Sequence, residues 1–336
     1  MKLQASAFFL SLVLVSTEAS IANLYTHARG REVLNLAAAA YSTDPLRCLR
    51  ATYPHSNYRI VELVELPCDK DKNTCAMYIG ISSADQQIVV GFRGTTTNEQ
   101  LILEAKESLE PEVDWYGVGS VNRYFYEGLD PLWAKLHPIL KQETTKKYRV
   151  LFTGHSLGGA LASLAAMKTH LTGMRDNDDI SLFTYGEPRV GNRVFAHNLM
   201  PSLRETWRIV HRADMVPHLP PCKDLGASCD PQDFRRPFHH GFEVWYPHGM
   251  VGSTHFKVCT DNLEDGSCSN SLSPGYEWED HRWYYGVYVS KHGRDDFCEK
   301  PFPDGSENES PSTVLGLTVL GATLLLSAVF GMQCSV

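Results

Sequence analysis

A mostly parallel β-sheet wrapped by helices is the fold that the sequence predicts, and three observations point to it. Short β-rich runs alternate with longer helical ones. One strand carries the unbroken apolar core Val150-Leu151-Phe152. Immediately after that strand, Gly154-His155-Ser156-Leu157-Gly158 leads into a helix. The alternation is the pattern of an α/β sheet, and a strand apolar at consecutive positions is one covered on both faces.

Taken in order, the chain opens on Met1-Lys2 and an apolar run from Phe8 to Val15, followed by Thr17-Glu18-Ala19 with small residues where a signal peptidase cuts. Residues 1–19 are therefore expected to be a secretory leader; the run is too short for a membrane span. Residues 20–304 are expected to form the domain: between Ser20 and Cys298 there is no linker, repeat or low-complexity stretch, and roughly 285 residues suffice for one large single core. Within it, Met77–Ser82 and Gln87–Phe92 read as adjacent strands about a turn at Ser83-Ala84-Asp85. Arg149–Thr153 is a third strand, Leu157–His170 a helix with Leu157, Leu161 and Leu164 at helical spacing, and Ser181–Tyr185 and Trp207–His211 further strands. Beyond Trp245 the pattern does not resolve into elements.

The far end, residues 305–336, reads as a processing signal. Val314 to Met332 is apolar and uncharged, preceded by the polar spacer Glu307–Thr313 and the small triplet Asp304-Gly305-Ser306. That order marks replacement of the tail by a glycosylphosphatidylinositol lipid, with Asp304 or a neighbour as attachment site. A permanent transmembrane helix is the competing reading, because the tail is long enough to span; no Lys or Arg follows it to mark a cytosolic end. The expected location is extracellular or at the cell surface through the lipid, with a single-pass membrane protein as the alternative.

Composition narrows the function. Of 336 residues, 43% are hydrophobic and 21% charged, as in soluble globular proteins. A formal charge of −8, with no Lys/Arg run, excludes nucleic acid as a partner. Nine cysteines are present, and setting aside Cys334 in the tail leaves eight. An even set in a secreted chain reads as disulfides. Local spacing suggests Cys68–Cys75, Cys222–Cys229 and Cys259–Cys268, each closing a short polar loop, and leaves Cys48–Cys298 to join the two ends of the domain. No CxxC pair supports a zinc site, no HExxH or ligand cluster appears, and no cofactor is expected.

Gly-x-Ser-x-Gly between a strand and a helix is the setting of a nucleophilic serine in the α/β-hydrolase fold. The turn strains the serine backbone, and neighbours two residues away must lack side chains. The following helix aims its positive end at the site. A serine hydroxyl needs a base, and the base an orienting acid; in this fold they follow in the order Ser, Asp or Glu, His. Asp214 stands just past the strand Trp207–His211, at the edge where such sheets assemble sites. Fourteen histidines leave the base open: His281 lies late and beside an aromatic run, with His239, His240, His248 and His255 as competitors.

From roughly Tyr41 to Cys298 the sequence resembles the fungal-type triacylglycerol lipases, the class 3 lipases. Four blocks carry the resemblance: Phe92-Arg93-Gly94-Thr95; Gly154–Ala160; Tyr185-Gly186-Glu187-Pro188-Arg189-Val190-Gly191-Asn192; and Asp214–Pro221. It implies Ser156 as nucleophile, Asp214 as acid and His281 as base, in the segment His281-Arg282-Trp283-Tyr284. It further implies an oxyanion hole from Thr95, through its N–H and hydroxyl, with the N–H of Leu157 as second donor. Where the fungal enzymes carry a tryptophan-bearing lid, residues 97–112 here read as an acidic amphipathic segment with Leu101, Ile102, Ala105 and Leu109 on one face, either a lid that opens at a lipid surface or only a surface helix. The implied substrate is an acylglycerol or similar lipid ester at a lipid–water interface. Phospholipase A1 and aryl (feruloyl-type) esterase are the alternatives within the class. The reading from another class, a non-catalytic surface protein, does not account for Ser156, Asp214, His281 and Thr95 standing together.

Overall fold

The computed structural model describes residues 25–303, apart from 70–71, 96–111, 200–201, 204, 223–232, 253, 261–262, 274 and 296. The expected leader, the expected tail signal 305–336 and, except for Glu112, the amphipathic segment 97–112 lie outside the described residues, as does Cys229.

The described chain begins with helices α1 (His27–Ala39) and α2 (Pro45–Thr52), then strands β1 (Tyr58–Pro67), β2 (Thr74–Ser82) and β3 (Gln87–Phe92). Short strands β4 (Glu112–Asp114) and β5 (Ser120–Asn122) lead into α3 (Arg123–Leu140). Next come β6 (Arg149–His155), α4 (Leu157–Leu171), β7 (Ile180–Tyr185), β8 (Gly191–Asn192), α5 (Arg193–Leu199) and β9 (Glu205–His211). The last part holds β10 (Pro237–Phe238), β11 (Phe242–Tyr246), β12 (Lys257–Cys259), the hairpin β13 (Trp283–Tyr284) and β14 (Val287–Tyr288), and α6 (Val289–Arg294).

Eight strands form the central sheet in the order β1-β2-β3-β6-β7-β9-β11-β12. Its middle, from β3 to β11, is parallel; β1 and β2 at one edge and β12 at the other are antiparallel. The strands and the helix expected from the sequence are all present, with ends shifted by a few residues. What the sequence left unread after Trp245 comprises the short edge strand β12, the hairpin β13–β14 and the short helix α6, joined by loops and 3-10 turns, each with too few residues to show a period.

Side-chain alternation splits the core between the two faces. Ile88, Val90, Val150, Phe152 and Leu182 pack with Phe125, Leu129 and Leu132 of α3 and Leu161 and Leu164 of α4. Val89, Leu151 and Phe183 point the other way, into a cluster with Val33, Leu34 and Leu36 of α1 and Val289 of α6. Helix α4 is buried from Leu157 through Thr169, which is why its apolar residues run all round it rather than along one stripe.

Three of the four expected disulfides join described residues: Cys48–Cys298, Cys68–Cys75 and Cys259–Cys268. Cys222 is also disulfide-bonded. The Cys48–Cys298 bridge spans 250 residues of sequence, and closing so long a loop removes about 5 kcal/mol of unfolded-chain entropy in the chain-entropy model.

Candidate active site

Ser156 occupies the N-cap position of α4 with φ 61° and ψ −132°, a backbone state that side chains rarely adopt. The turn is held by Ser156 N–H donating to the Tyr185 carbonyl (2.9 Å) and Gly159 N–H donating to the Ser156 carbonyl (2.8 Å). Two motif glycines have a visible reason. A Cβ on Gly154 would overlap the Gly158 carbonyl, and one on Gly158 would overlap the Phe92 carbonyl. The loop after β3 thus lies directly on the first turn of α4.

That loop places Gly94 against Ser156: a Cβ on Gly94 would sit 3.1 Å from Ser156 Cβ. Arg93 anchors the loop, its guanidinium donating to the Thr74 carbonyl (2.9 Å) and hydroxyl (2.8 Å) and pairing with Glu65 at 2.9 Å. Thr95 follows and is half-buried. Leu157 opens α4, so its N–H is one of the first-turn amides that a helix leaves without an internal acceptor.

The Ser156 hydroxyl is 2.9 Å from Nε2 of His281. On the other edge of that ring, Nδ1 lies 3.1 and 3.0 Å from Oδ1 and Oδ2 of Asp214. Two further donors reach the carboxylate: Val216 N–H to Oδ1 at 2.9 Å and the Tyr284 phenol to Oδ2 at 2.6 Å. Burial pushes the Asp214 carboxyl up, but the adjacent His281, the Tyr284 hydroxyl and the Val216 N–H outweigh it and hold it below the ordinary 3.8. Ser156, Asp214 and His281 are all buried.

The loop bearing Asp214 and the turn bearing His281 are laced together. Glu277 N–H donates to the Ala213 carbonyl (2.7 Å) and Met215 N–H to the Glu277 carbonyl (3.3 Å). Ala213 N–H donates to the Asp280 carboxylate (3.1 Å), and the His211 ring bonds the Asp280 carbonyl at 3.0 Å. Burial lowers the His211 pKa. Gly186, at φ 57°, makes room at the centre: a Cβ there would lie 2.6 Å from Asp214 Oδ2 and 2.7 Å from His281 Nδ1.

The other histidines weighed as bases stand apart. His240 bonds Glu187 Oε1 at 3.0 Å, and that buried carboxylate also accepts from the hydroxyls of Ser163 and Thr184. His239 donates through Nε2 to the Pro217 carbonyl at 2.7 Å. Among the described residues, the ring that reaches Ser156 Oγ is His281's. Tyr284 and Gly186 were not singled out from the sequence. The aromatic run after His281 and the third motif block contained them, but only the fold brings them to the carboxylate. Glu243, Cys259 and Cys268 have ligand atoms within 4.8 Å of one another, yet both sulfurs are bound in the Cys259–Cys268 disulfide and offer no thiolate.

The model of the lipase (class 3) family matches residues 89–224. A Caenorhabditis elegans protein, Lipase ZK262.3, is 40% identical over 290 residues, covering 80% of this chain and 82% of its own length. The crystal structure of a lipase from Rhizopus microsporus var. chinensis superposes with a TM-score of 0.65 at 28% identity, covering 79% of this chain and 90% of the other. A triacylglycerol lipase whose catalytic centre is formed by a serine protease triad superposes with a TM-score of 0.62 at 25% identity, over 78% and 95% of the two chains. The sheet order and these likenesses give the chain the α/β-hydrolase fold.

Proposed function

This chain belongs to the class 3 lipase family and is a triacylglycerol lipase-like serine hydrolase, and from that premise we propose that Ser156, His281 and Asp214 are its triad and that it cleaves acylglycerol-type esters through an acyl-enzyme. The observation that carries the reading is the unbroken line from Ser156 Oγ through His281 to Asp214, at 2.9 and 3.0 Å. The serine hydroxyl adds to the ester carbonyl carbon while its proton passes to His281 Nε2; Asp214 holds the ring and stabilises the imidazolium. The carbonyl oxygen, now an oxyanion, is taken by the N–H of Leu157 and by the N–H and hydroxyl of Thr95, each donor contributing about 3 kcal/mol at such sites. Collapse of the intermediate breaks the bond to the alcohol, which leaves with the proton from His281. Water then adds to the acyl-serine, giving its proton to His281; the second collapse returns that proton to Ser156 and frees the fatty acid.

The same proposal takes residues 20–304 as the mature enzyme, released from the leader into an extracytoplasmic, oxidising compartment and held at the cell surface by a lipid in place of residues 305–336. Disulfides support the compartment; the order of small triplet, polar spacer and apolar tail supports the anchor. A hydrolysis panel of p-nitrophenyl esters, triolein and phosphatidylcholine tests the substrate class. Turnover of triolein above phosphatidylcholine is expected, and turnover confined to phosphatidylcholine or to aryl esters rejects it.

A further inference from the structure

Taking His281 as the base, as proposed above, we propose that His155 is a positioning residue for the reaction: it grips His281 by its main chain and by its ring, keeping the base aligned on Ser156.

His155 ends β6, paired with Tyr185 of β7, and directly precedes the nucleophile. Its ring is buried. Nε2 lies 2.8 Å from the carbonyl oxygen of His281; a carbonyl only accepts, so this nitrogen carries the hydrogen. Nδ1 lies 3.1 Å from the hydroxyl of Tyr41, just past α1. With Nε2 donating and Nδ1 accepting from the phenol, the imidazole is neutral. Its plane then lies almost flat on the ring of His281, centroids 4.6 Å apart and planes inclined by 25°.

These contacts supply what the triad bonds leave free. Asp214 and Ser156 hold opposite edges of the His281 ring, and neither opposes a swing of the ring out of its plane. The stacked face of His155 does. The bond to the His281 carbonyl fixes the backbone from which the ring swings, and because His155 is adjacent to Ser156 in sequence, nucleophile and base are held by the same residue.

Neutrality is part of the fit. During turnover His281 becomes a cation, and a second cation stacked on it would oppose that charge. The groups facing His155 are His281, Asp214, Tyr41 and Tyr284, the last with its ring 5.7 Å away. Asp214 is the anion among them, and it bonds His281. Burial, then the proximity of His281, lowers His155 to about 3, so it stays uncharged through the range in which a serine hydrolase works.

Two substitutions separate the two grips. His155→Phe keeps a flat ring and removes the Nε2–H; His155→Gln keeps an amide donor and removes the ring. Each variant is assayed on a soluble p-nitrophenyl ester, with active sites counted by an alkyl p-nitrophenyl phosphonate. The expected result is a kcat per titrated site at least tenfold lower for His155→Phe and about threefold lower for His155→Gln, with KM within twofold of wild type. Phosphonylation of Ser156 should slow in parallel, because it uses the same proton transfer. A merely structural role would reduce the number of titratable sites and leave kcat per site unchanged; that outcome overturns the proposal. If His155→Phe does not fold, the His155→Gln comparison alone decides by the same measure. Ser156→Ala keeps the two layers apart: residual turnover there overturns the triad and this role with it, whereas an inactive Ser156→Ala beside unimpaired His155 variants overturns the positioning role alone.

Discussion

The phenol of Tyr284 donates a 2.6 Å hydrogen bond to Oδ2 of Asp214, the oxygen that also lies 3.0 Å from Nδ1 of His281. The carboxylate has no solvent to stabilise its charge, so each donor to it matters. Tyr284→Phe removes a bond to a charged group, worth about 1.5–3 kcal/mol in general. A drop in kcat/KM of roughly tenfold or more follows, with the Asp214 pKa moving up. An unaltered rate across pH 5–9 would show that the Val216 N–H and His281 suffice.

Ser156→Ala should abolish ester hydrolysis in a protein that still folds, and His281→Ala should cost nearly as much, since triad members act as a unit. His255→Ala should leave the rate near wild type. For His240→Ala the expectation is separate: it removes one donor from buried Glu187, so it lowers the unfolding midpoint and spares kcat of the folded enzyme. An inactive, folded His240→Ala beside an active His281→Ala would reverse the assignment.

Much of the sheet was legible because its strands are short apolar runs punctuated by turns, and Ser156 stands out as a candidate because a strained strand-to-helix turn demands glycines at 154 and 158. Asp214 stands out from its place after a strand. The candidate base does not, until the resemblance selects His281: it sits in a 3-10 turn after a long irregular stretch, where no period distinguishes one histidine from another. The helices α1 and α3 escaped notice although both lie in the core. Nor could spacing reveal that Tyr41, His155 and His281 meet, since 114 and 126 residues separate the bonded pairs.

Acid should unfold this protein before it protonates most carboxylates. Burial lowers His155 and His239 to about 3 and His292 to about 4, and lowers His218 well below its usual range. The folded chain therefore leaves these rings uncharged while the unfolded chain, with histidines near 6.5, takes up protons. Stability is full above that unfolded value and falls as pH drops from about 6.5 towards 4, by up to about 1.4 kcal/mol per pH unit for each ring. Asp214 and Glu264, whose pKa values are lowered despite burial because of their partners, add a further loss once pH falls towards the carboxylate range. Denaturant midpoints should hold from pH 7.5 to about 6.5 and decline from there to pH 5, less steeply in His292→Gln. A flat profile would contradict the buried neutral histidines.

Anchoring is tested on intact cells. Phosphatidylinositol-specific phospholipase C should release active enzyme into the medium if the tail has been exchanged for a glycolipid. Enzyme that stays with the membrane, and yields peptides containing Cys334, would make residues 314–332 a transmembrane helix instead.

Gly186→Ala is the sharpest test of the site's geometry, because it alters no group that takes part in the chemistry. Gly186 has φ 57°, where an alanine is strained, and the added methyl would stand 2.6 Å from Asp214 Oδ2 and 2.7 Å from His281 Nδ1. Both residues are buried, and each is held by other bonds: Asp214 by Tyr284 and Val216, His281 by Ser156. The residue itself is pinned by its N–H to the Ile209 carbonyl at 3.1 Å, so the backbone cannot easily give way. The methyl must then separate acid from base, and a shift of about 1 Å at such a centre is enough to lose roughly a hundredfold in rate. The expected phenotype is a folded protein with kcat reduced at least a hundredfold, KM little changed, and slow phosphonylation of Ser156. Near-normal turnover by a folded Gly186→Ala would mean that Asp214 and His281 do not meet as closely in the working enzyme as they do here.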